Sequence, residues 1–333
     1  MPTVRVRVPA TSANLGPGFD TLGLALNIYN FITIRDEDGG PDRVTVTGEG
    51  ADTLTRDDGN IALRAARHLL RFVGAPEVPL GLTLDNGIPL ARGLGSSAAA
   101  RVGALFAANE WAGRAGYRTA SPTELLSLAT HLEGHPDNAA AALLGGLVAS
   151  AVTEDDRPGH ATDSAARAEN AGHDPNPSRQ AMAVRLPVER FPRLVIFIPD
   201  SELATETARG VLPDAVFRAD ANFNVGRTAL LLASLATGQF DVLREALRDR
   251  LHQEHRAVLM PGFQAAMRGA VAAGAYGATL SGAGPSVLAW LPVEPTGLAD
   301  ETRQAMQDAA AEHEVFGTAR EVEVDLAGCV VVA

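Results

Sequence analysis

Pro89-Leu90-Ala91-Arg92-Gly93-Leu94-Gly95-Ser96-Ser97-Ala98-Ala99-Ala100 is the stretch whose reading decides the fold. A loop bearing Gly93 and Gly95 runs into an alanine-rich segment, which predicts a helix over about Ser97 to Asn109. Without a Cβ, both glycines let the backbone take positive φ and come close to a ligand. Ser96 or Ser97 is placed to cap the helix, whose first turn carries unpaired N–H groups and a partial positive charge. Such an end receives phosphate, and Ala98, Ala99 and Ala100 keep the first turn slim. The plain alternative is a glycine turn before an ordinary capped helix. Gly-x-Gly-x-x-Ala alone is too common to displace it; the full string is far more specific.

The rest of the composition narrows the classes. A chain of 333 residues favours two domains. Its net charge of −12 argues against nucleic acid as the main partner. There is no lysine, so all 28 basic side chains are arginine and a Walker-A loop is excluded. Any nucleotide phosphate must be met by backbone N–H groups, arginine and a metal ion. No apolar run is long enough to cross a bilayer, and Met1 to Val8 alternates Val and Arg without a signal-peptide core. The single cysteine, Cys329, excludes an internal disulfide and suits a reducing cytosol. A cytoplasmic protein with no membrane partner is expected.

Outward from the central loop, Leu80 to Leu84 reads as the strand that feeds it. Towards the N-terminus, Val4, Val6 and Val8 alternate with arginines as an opening strand. A loop from Pro9 to Asp20 follows, long for a simple hairpin connection, and then one long strand or two from Thr21 to Ile34. Val44 and Val46 mark a short strand; Asn60 caps a helix with an apolar stripe that Gly74 ends. Towards the C-terminus, Ser121-Pro122-Thr123-Glu124 is a capping box opening a helix that stops near Gly134. Glu133-Gly134-His135-Pro136-Asp137-Asn138 gathers carboxylates, a histidine and an amide at a helix junction; read alone, it fits a site or a solvated cap equally well.

Thr153 to Gln180 is polar and reads as a flexible surface excursion. Strand-like alternation resumes at Ala181 to Leu186, and Leu194 to Ile198 is an apolar central strand opening the second domain. Asn222 to Ala236 and Phe240 to Leu251 read as paired helices. Ser281-Gly282-Ala283-Gly284-Pro285-Ser286 is a glycine turn between strands, followed by a helix over about Leu298 to His313 and a last strand region from Arg320. His252 and His255 lie outside any zincin pattern and read as helix surface or supporting residues.

The central string resembles the phosphate-binding motif of the small-molecule kinases that include galactokinase, homoserine kinase, mevalonate kinase and phosphomevalonate kinase, the GHMP kinases. Pro9 to Asp20, Glu133 to Gly146, Thr205 to Arg209, Arg256 and Ser281 to Ser286 resemble, in order, the homoserine-kinase stretches of that family. The excursion at 153–180 is longer than such kinases require.

The resemblance implies an α+β fold of two domains, with the active site between them. Residues 1–185 would form a domain similar to ribosomal protein S5 domain 2, and 186–333 a ferredoxin-like one. It implies ATP bound by Pro89, Leu90, Ala91, Arg92, Gly93, Leu94, Gly95, Ser96, Ser97, Ala98 and Ala99, and Mg2+ held by Glu133 and Ser97. L-homoserine would meet Asn14, Asp20, His135, Asp137, Asn138, Thr205, Arg209, Arg256 and Gly282, the two arginines taking its carboxylate. The implied activity is transfer of the ATP γ-phosphoryl group to the homoserine hydroxyl, a step of threonine biosynthesis.

Asn14, Asp137 and Asn138 are the catalytic candidates. Which of Asp137 and Asn138 faces the hydroxyl stays open. The lysine that accompanies the aspartate in the mevalonate-kinase branch has no counterpart, so catalysis by orientation is favoured over a general base. A homodimer stays open.

Three other readings remain. Another GHMP kinase would keep the glycine motifs and change the substrate groups. A nucleotide sensor would bind ATP without turnover. A Rossmann oxidoreductase would need a tight strand-loop-helix unit with a second strand after it; here Pro89 to Arg92 separates the loop from its strand, and helical sequence follows.

Overall fold

Residues 2–37, 39–153 and 180–332 are described by the computed structural model. The polar excursion therefore lies outside the described residues except at its ends, where Thr153 N donates to Gln180 O at 2.8 Å.

The valines alternating with arginines place Val4, Val6 and Val8 in the core and open β1 (Val4–Ala13). It pairs antiparallel with β2 (Leu22–Asp36), from Val4 opposite Ile34 to Ala13 opposite Gly23, with a shift between Pro9 and Ala10. β2 is thus one long strand. β3 (Arg43–Gly48) runs parallel to β4 (Leu80–Asn86), which pairs antiparallel with β2. Three helices follow the expected signals. In α1 (Ile61–Phe72), Asn60 Oδ1 accepts from Ala62 N and Leu63 N. α2 (Ser96–Arg114) is longer than expected at both ends. α3 (Pro122–Glu133) starts at the Ser121 capping box and stops at Gly134, whose φ is 91°.

After α3 comes α4 (Asp137–Leu144), then β5 (Leu147–Val152), which pairs with the start of β2, and β6 (Ala181–Arg185), which pairs with β5. α2 lies on β1 and β2 with α1, α3 and α4 beside it. It can settle there because Gly103 faces the sheet: a Cβ would sit 2.7 Å from Ile32 Cδ1 and 3.0 Å from Val8 Cγ1.

β7 (Arg193–Pro199) opens the second unit. There follow α5 (Thr205–Gly210), α6 (Arg218–Thr237), the short α7 (Leu243–Ala246) and α8 (Gln253–Arg256), α9 (Phe263–Ala272), β8 (Gly277–Leu280), β9 (Val287–Leu291), α10 (Leu298–Ala311) and β10 (Gly317–Val322). The sheet order β10-β7-β9-β8 with α9 and α10 on one face is the split β-α-β of ferredoxin-like units. Val195 and Phe197 face those helices, whereas Leu194, Ile196, Leu288 and Trp290 join the core of the first unit. A strand buried on both faces has no polar side to show, which explains the unbroken apolar run.

Two expectations are corrected. Phe240 to Leu251 is not a helix: a 3-10 turn (Phe240–Val242) leads into the single turn of α7. The chain then turns at Asp249, whose carboxylate accepts from Leu251 N, His252 N and Gln253 N. A side chain that takes up three backbone donors competes directly with a continuing helix. Second, the unit 186–333 does not keep its last strand. β11 (Val330–Val332) returns to the first sheet and pairs with β1, Val330 opposite Arg7. The Rossmann alternative fails as well, because α2 is followed by α3 and α4, and among the described residues only β3 and β4 pair in parallel.

Candidate active site

The loop between β4 and α2 takes left-handed backbone at Ala91, Gly93 and Gly95, with φ of 52°, 72° and 64°. The missing Cβ atoms make room for neighbouring protein. A Cβ on Gly93 would lie 2.2 Å from Ser281 O, and one on Gly95 2.0 Å from Thr11 Oγ1. The glycine turn between β8 and β9 therefore clasps this loop: Ser281 Oγ donates to Gly93 O at 2.7 Å and Ser286 N to Arg92 O at 3.3 Å, while Gly282 N donates to Ala13 O at the end of β1 at 3.1 Å. Arg92 braces the outside, donating to Leu90 O, Pro199 O and Asp200 O and pairing with Glu202.

The serines do not cap α2. Gly95 precedes its first turn, Ser96 Oγ reaches Ile88 O at 3.4 Å, and Ser97 Oγ donates to Glu133 Oε1 at 2.6 Å. Both are already helical, so their hydroxyls point away from the N–H groups that a preceding residue would cap. Among the described residues, the backbone N–H groups of Gly93, Leu94, Gly95, Ser96, Ser97 and Ala98 have no acceptor. An uncapped helix start with a run of free donors has the chemistry to receive an anion.

Gly93 to Ser97 line a cleft of about 240 Å3 built by both units. Asn14, Asp20, Glu133, His135, Asp137, Asn138, Thr205, Arg209, Arg256 and Gly282 all line it, as do Ala91 to Ser97. Of the expected residues, Pro89, Leu90, Ala98 and Ala99 do not; the two alanines are fully buried beneath the helix start.

At the end away from the loop, Asn14 stands at φ 68° and its amide acts as a clamp. Nδ2 donates to Gly282 O at 2.8 Å and Oδ1 accepts from Asp20 N at 2.9 Å. Asp20 in turn takes Arg209 through both oxygens, at 2.6 and 3.0 Å. His135 Nδ1 lies 2.5 Å from Asp137 Oδ1, which also accepts from Asn138 N at 2.7 Å. Burial alone would keep His135 neutral, but the charge and hydrogen bond of Asp137 outweigh it and push its pKa up to about 9. Burial likewise opposes charge on Asp137, yet His135 holds its pKa below the usual carboxylate range. Asp20, His135 and Asp137 bring ligand atoms within 4.8 Å of one another, but Arg209 and the charged imidazole already balance the carboxylates. Asn138 does not cap α4; its Oδ1 accepts the Thr11 hydroxyl at 2.7 Å.

Arg256 is 1% exposed and has no ion-pair partner among the described residues. Nε donates to Ala208 O at 3.1 Å, and NH1 to His252 Nδ1 at 2.9 Å and Gly282 O at 3.2 Å. Burial, with Arg209 nearby, draws its pKa down to about 10, so it remains charged at neutral pH. Both guanidinium carbons lie over the Phe19 ring, Arg209 at 5.7 Å and Arg256 at 5.5 Å from its centre.

Four participants were not read from the sequence as site residues: Thr11, Phe19, Arg101 and His252. Arg101 pairs with Glu133 beside Ser97. Its position, four residues after Ser97 on one helix face, was the signal available.

Comparison with known proteins agrees with this geometry. The GHMP kinases N terminal domain matches residues 60–146 and the GHMP kinases C terminal domain residues 231–312. The chain is 46% identical over 285 residues to the homoserine kinase of Moorella thermoacetica, covering 86% of each chain. To that of Desulfitobacterium hafniense it is 39% identical over 329 residues, covering 99% of this chain and 100% of the relative. The crystal structure of homoserine kinase from Cytophaga hutchinsonii superposes with a TM-score of 0.80 at 27% identity, covering 99% of this chain and 97% of that one.

Proposed function

Because the chain belongs to the homoserine kinases of the GHMP kinase family, we infer that it transfers the γ-phosphoryl group of ATP to the side-chain hydroxyl of L-homoserine. It is an ATP-dependent small-molecule kinase with two α+β domains. The observation that carries the reading is the pairing, in one cleft, of the free N–H run at the start of α2 with the unpaired buried Arg256. One end suits a triphosphate and the other a carboxylate.

The N–H groups of Gly93 to Ala98 and the partial positive charge of α2 receive the phosphates. Mg2+, when bound, supplies charge neutralisation between the phosphate oxygens. Ser97 Oγ and Glu133 Oε1 would hold it. Both are hard oxygen donors, of the kind Mg2+ prefers, and they stand 2.6 Å apart at the start of α2.

At the acceptor end, Arg256 and Arg209 take the carboxylate of homoserine, and Asp20, which Arg209 then shares, takes the ammonium group. Asn14 and Gly282 shape the wall behind them. His135, Asp137 and Asn138 lie where the hydroxyl meets the phosphoryl group. Asp137 is a weak base at neutral pH, since His135 and the Asn138 N–H occupy Oδ1 and its pKa is lowered. Transfer through a loose transition state needs alignment and charge neutralisation more than deprotonation. The charged His135 supports this by standing beside the developing charge.

No helix among the described residues is long and apolar enough to cross a membrane. The lone, buried Cys329 supports placement in the cytosol. An ADP-release assay with L-homoserine, mevalonate and galactose tests the substrate. Stimulation by homoserine alone is expected; stimulation by either of the others in its place would overturn the reading.

A further inference from the structure

His252 sits four residues before Arg256 and is wholly buried. Three contacts hold its imidazole, with the Asp249 carboxylate 3.6 Å from Nε2 beyond them. Nε2 lies 2.8 Å from Gly16 O, Nδ1 lies 2.9 Å from Arg256 NH1, and the ring stacks on Phe19 with centres 5.1 Å apart. The first two decide its tautomer. A guanidinium nitrogen can only donate, so Nδ1 must carry the lone pair; a carbonyl can only accept, so Nε2 must carry the hydrogen. Burial holds the His252 pKa below its ordinary value, against the charge of Asp249 at 3.6 Å, and this agrees with a neutral ring.

The consequence falls on Arg256. Of its five N–H donors, Nε–H goes to Ala208 O and the two on NH1 go to Gly282 O and His252 Nδ1. Among the described residues, that leaves NH2 as the nitrogen free to meet a ligand. Two carbonyls and one imidazole lone pair therefore set the plane and the reach of the guanidinium. The carbonyls belong to backbone, so His252 is the one side chain among these partners.

We infer that His252 is a positioning residue for the phosphoryl acceptor: by accepting from Arg256 NH1 it aims the remaining NH2 edge at the substrate carboxylate. It touches neither substrate nor nucleotide. Gly16 locks it from the other side, which ties the loop after β1 to the carboxylate-reading arginine. The inference rests on the reading that Arg256 binds the acceptor's carboxylate.

Two amides separate this role from simple packing. In His252→Asn the side-chain oxygen falls near the Nδ1 position, keeping the acceptor for Arg256 and losing the donor to Gly16. In His252→Gln the polar end falls near Nε2, keeping the Gly16 contact and losing the acceptor. Both lose the ring stack on Phe19. Steady-state kinetics with L-homoserine and ATP, alongside Arg256→Ala, is the experiment.

The KM for homoserine should rise about tenfold or more in His252→Gln and by less than about threefold in His252→Asn. The KM for ATP should stay unchanged in both. Thermal unfolding of each variant records the loss of packing separately. Equal KM values in the two amides, whether both raised or both normal, overturn the positioning role. Should Arg256→Ala itself leave the homoserine KM unchanged, it is the carboxylate reading that fails.

Discussion

Ser97, in the first turn of α2, donates its hydroxyl to Glu133 Oε1 at the end of α3, 2.6 Å away, while Arg101 pairs with the other oxygen. One carboxylate thus joins the phosphate loop to the helix that precedes His135 and Asp137. Replacing Glu133 with Gln keeps the size but removes the charge and leaves one acceptor oxygen where there were two. The apparent Mg2+ affinity should weaken by at least about tenfold, with a fall in kcat at limiting metal. A magnesium titration of ADP release checks this; wild-type rates at limiting Mg2+ would move the metal ligand elsewhere.

Gly95 is required by Thr11. In Gly95→Ala the new methyl group would lie 2.0 Å from Thr11 Oγ1 and 2.9 Å from Asn138 Oδ1, at a φ of 64°. Overpacking of this kind costs roughly 1–3 kcal/mol. The added substitution Thr11→Ala removes the nearer atom and should restore a substantial part of that loss in denaturant unfolding. A double variant no more stable than Gly95→Ala would mean that Thr11 is not what requires the glycine, and that the left-handed backbone or Asn138 is.

Stability should peak near pH 6.5 where His135 and His252 are concerned, because their shifts have opposite sign. The folded-state pKa of His135 is raised to about 9, so its contribution is full below the unfolded value of about 6.5 and disappears as the pH rises through 9. The folded-state pKa of His252 is depressed, so its contribution is full above about 6.5 and shrinks as the pH falls below it. Unfolding free energies at pH 5.5, 6.5 and 9, repeated for His135→Asn, test the pair. That variant should lose the alkaline decline and keep the acid one; an unchanged alkaline slope would show that His135 is not the group.

Arg209 and Arg256 approach the cleft from α5 and α8. Removing one partner of a desolvated, hydrogen-bonded charge pair costs roughly 2–5 kcal/mol. At about 1.4 kcal/mol per decade, kcat/KM for homoserine should fall roughly 30- to 5000-fold in either alanine variant, with ATP binding nearly unchanged. An analogue carrying a neutral amide in place of the carboxylate should be poor for the wild type and lose little more in the variants. Equal losses for homoserine and the amide would show that the arginines do not read the carboxylate.

Local signals read well from the chain where one chemistry had one geometric outcome. Asn60 and the Ser121 box opened their helices as expected, and the apolar run at Leu194 to Ile198 became a strand buried on both faces. The stretches from Asn14 to Gly282, far apart in the chain, did converge on one cleft. What was not legible depended on distant partners. Ser97 looked like a cap until Glu133 was seen to accept its hydroxyl. Phe19 is an ordinary loop aromatic until two arginines and His252 gather on it. Leucine spacing from Phe240 to Leu251 suggested a helix because periodicity carries no sign that Asp249 will take three backbone donors. The return of β11 to β1 rests on pairing between the two ends of the chain, which a short valine strand does not announce.

The 31P NMR spectrum of the products formed from ATP, Mg2+ and L-homoserine bears most directly on phosphoryl transfer in this cleft. A phosphate-monoester resonance that splits by coupling to the γ-methylene protons of homoserine, appearing in step with ADP, is the predicted result. Inorganic phosphate in place of that ester, at a rate indifferent to homoserine, would contradict it.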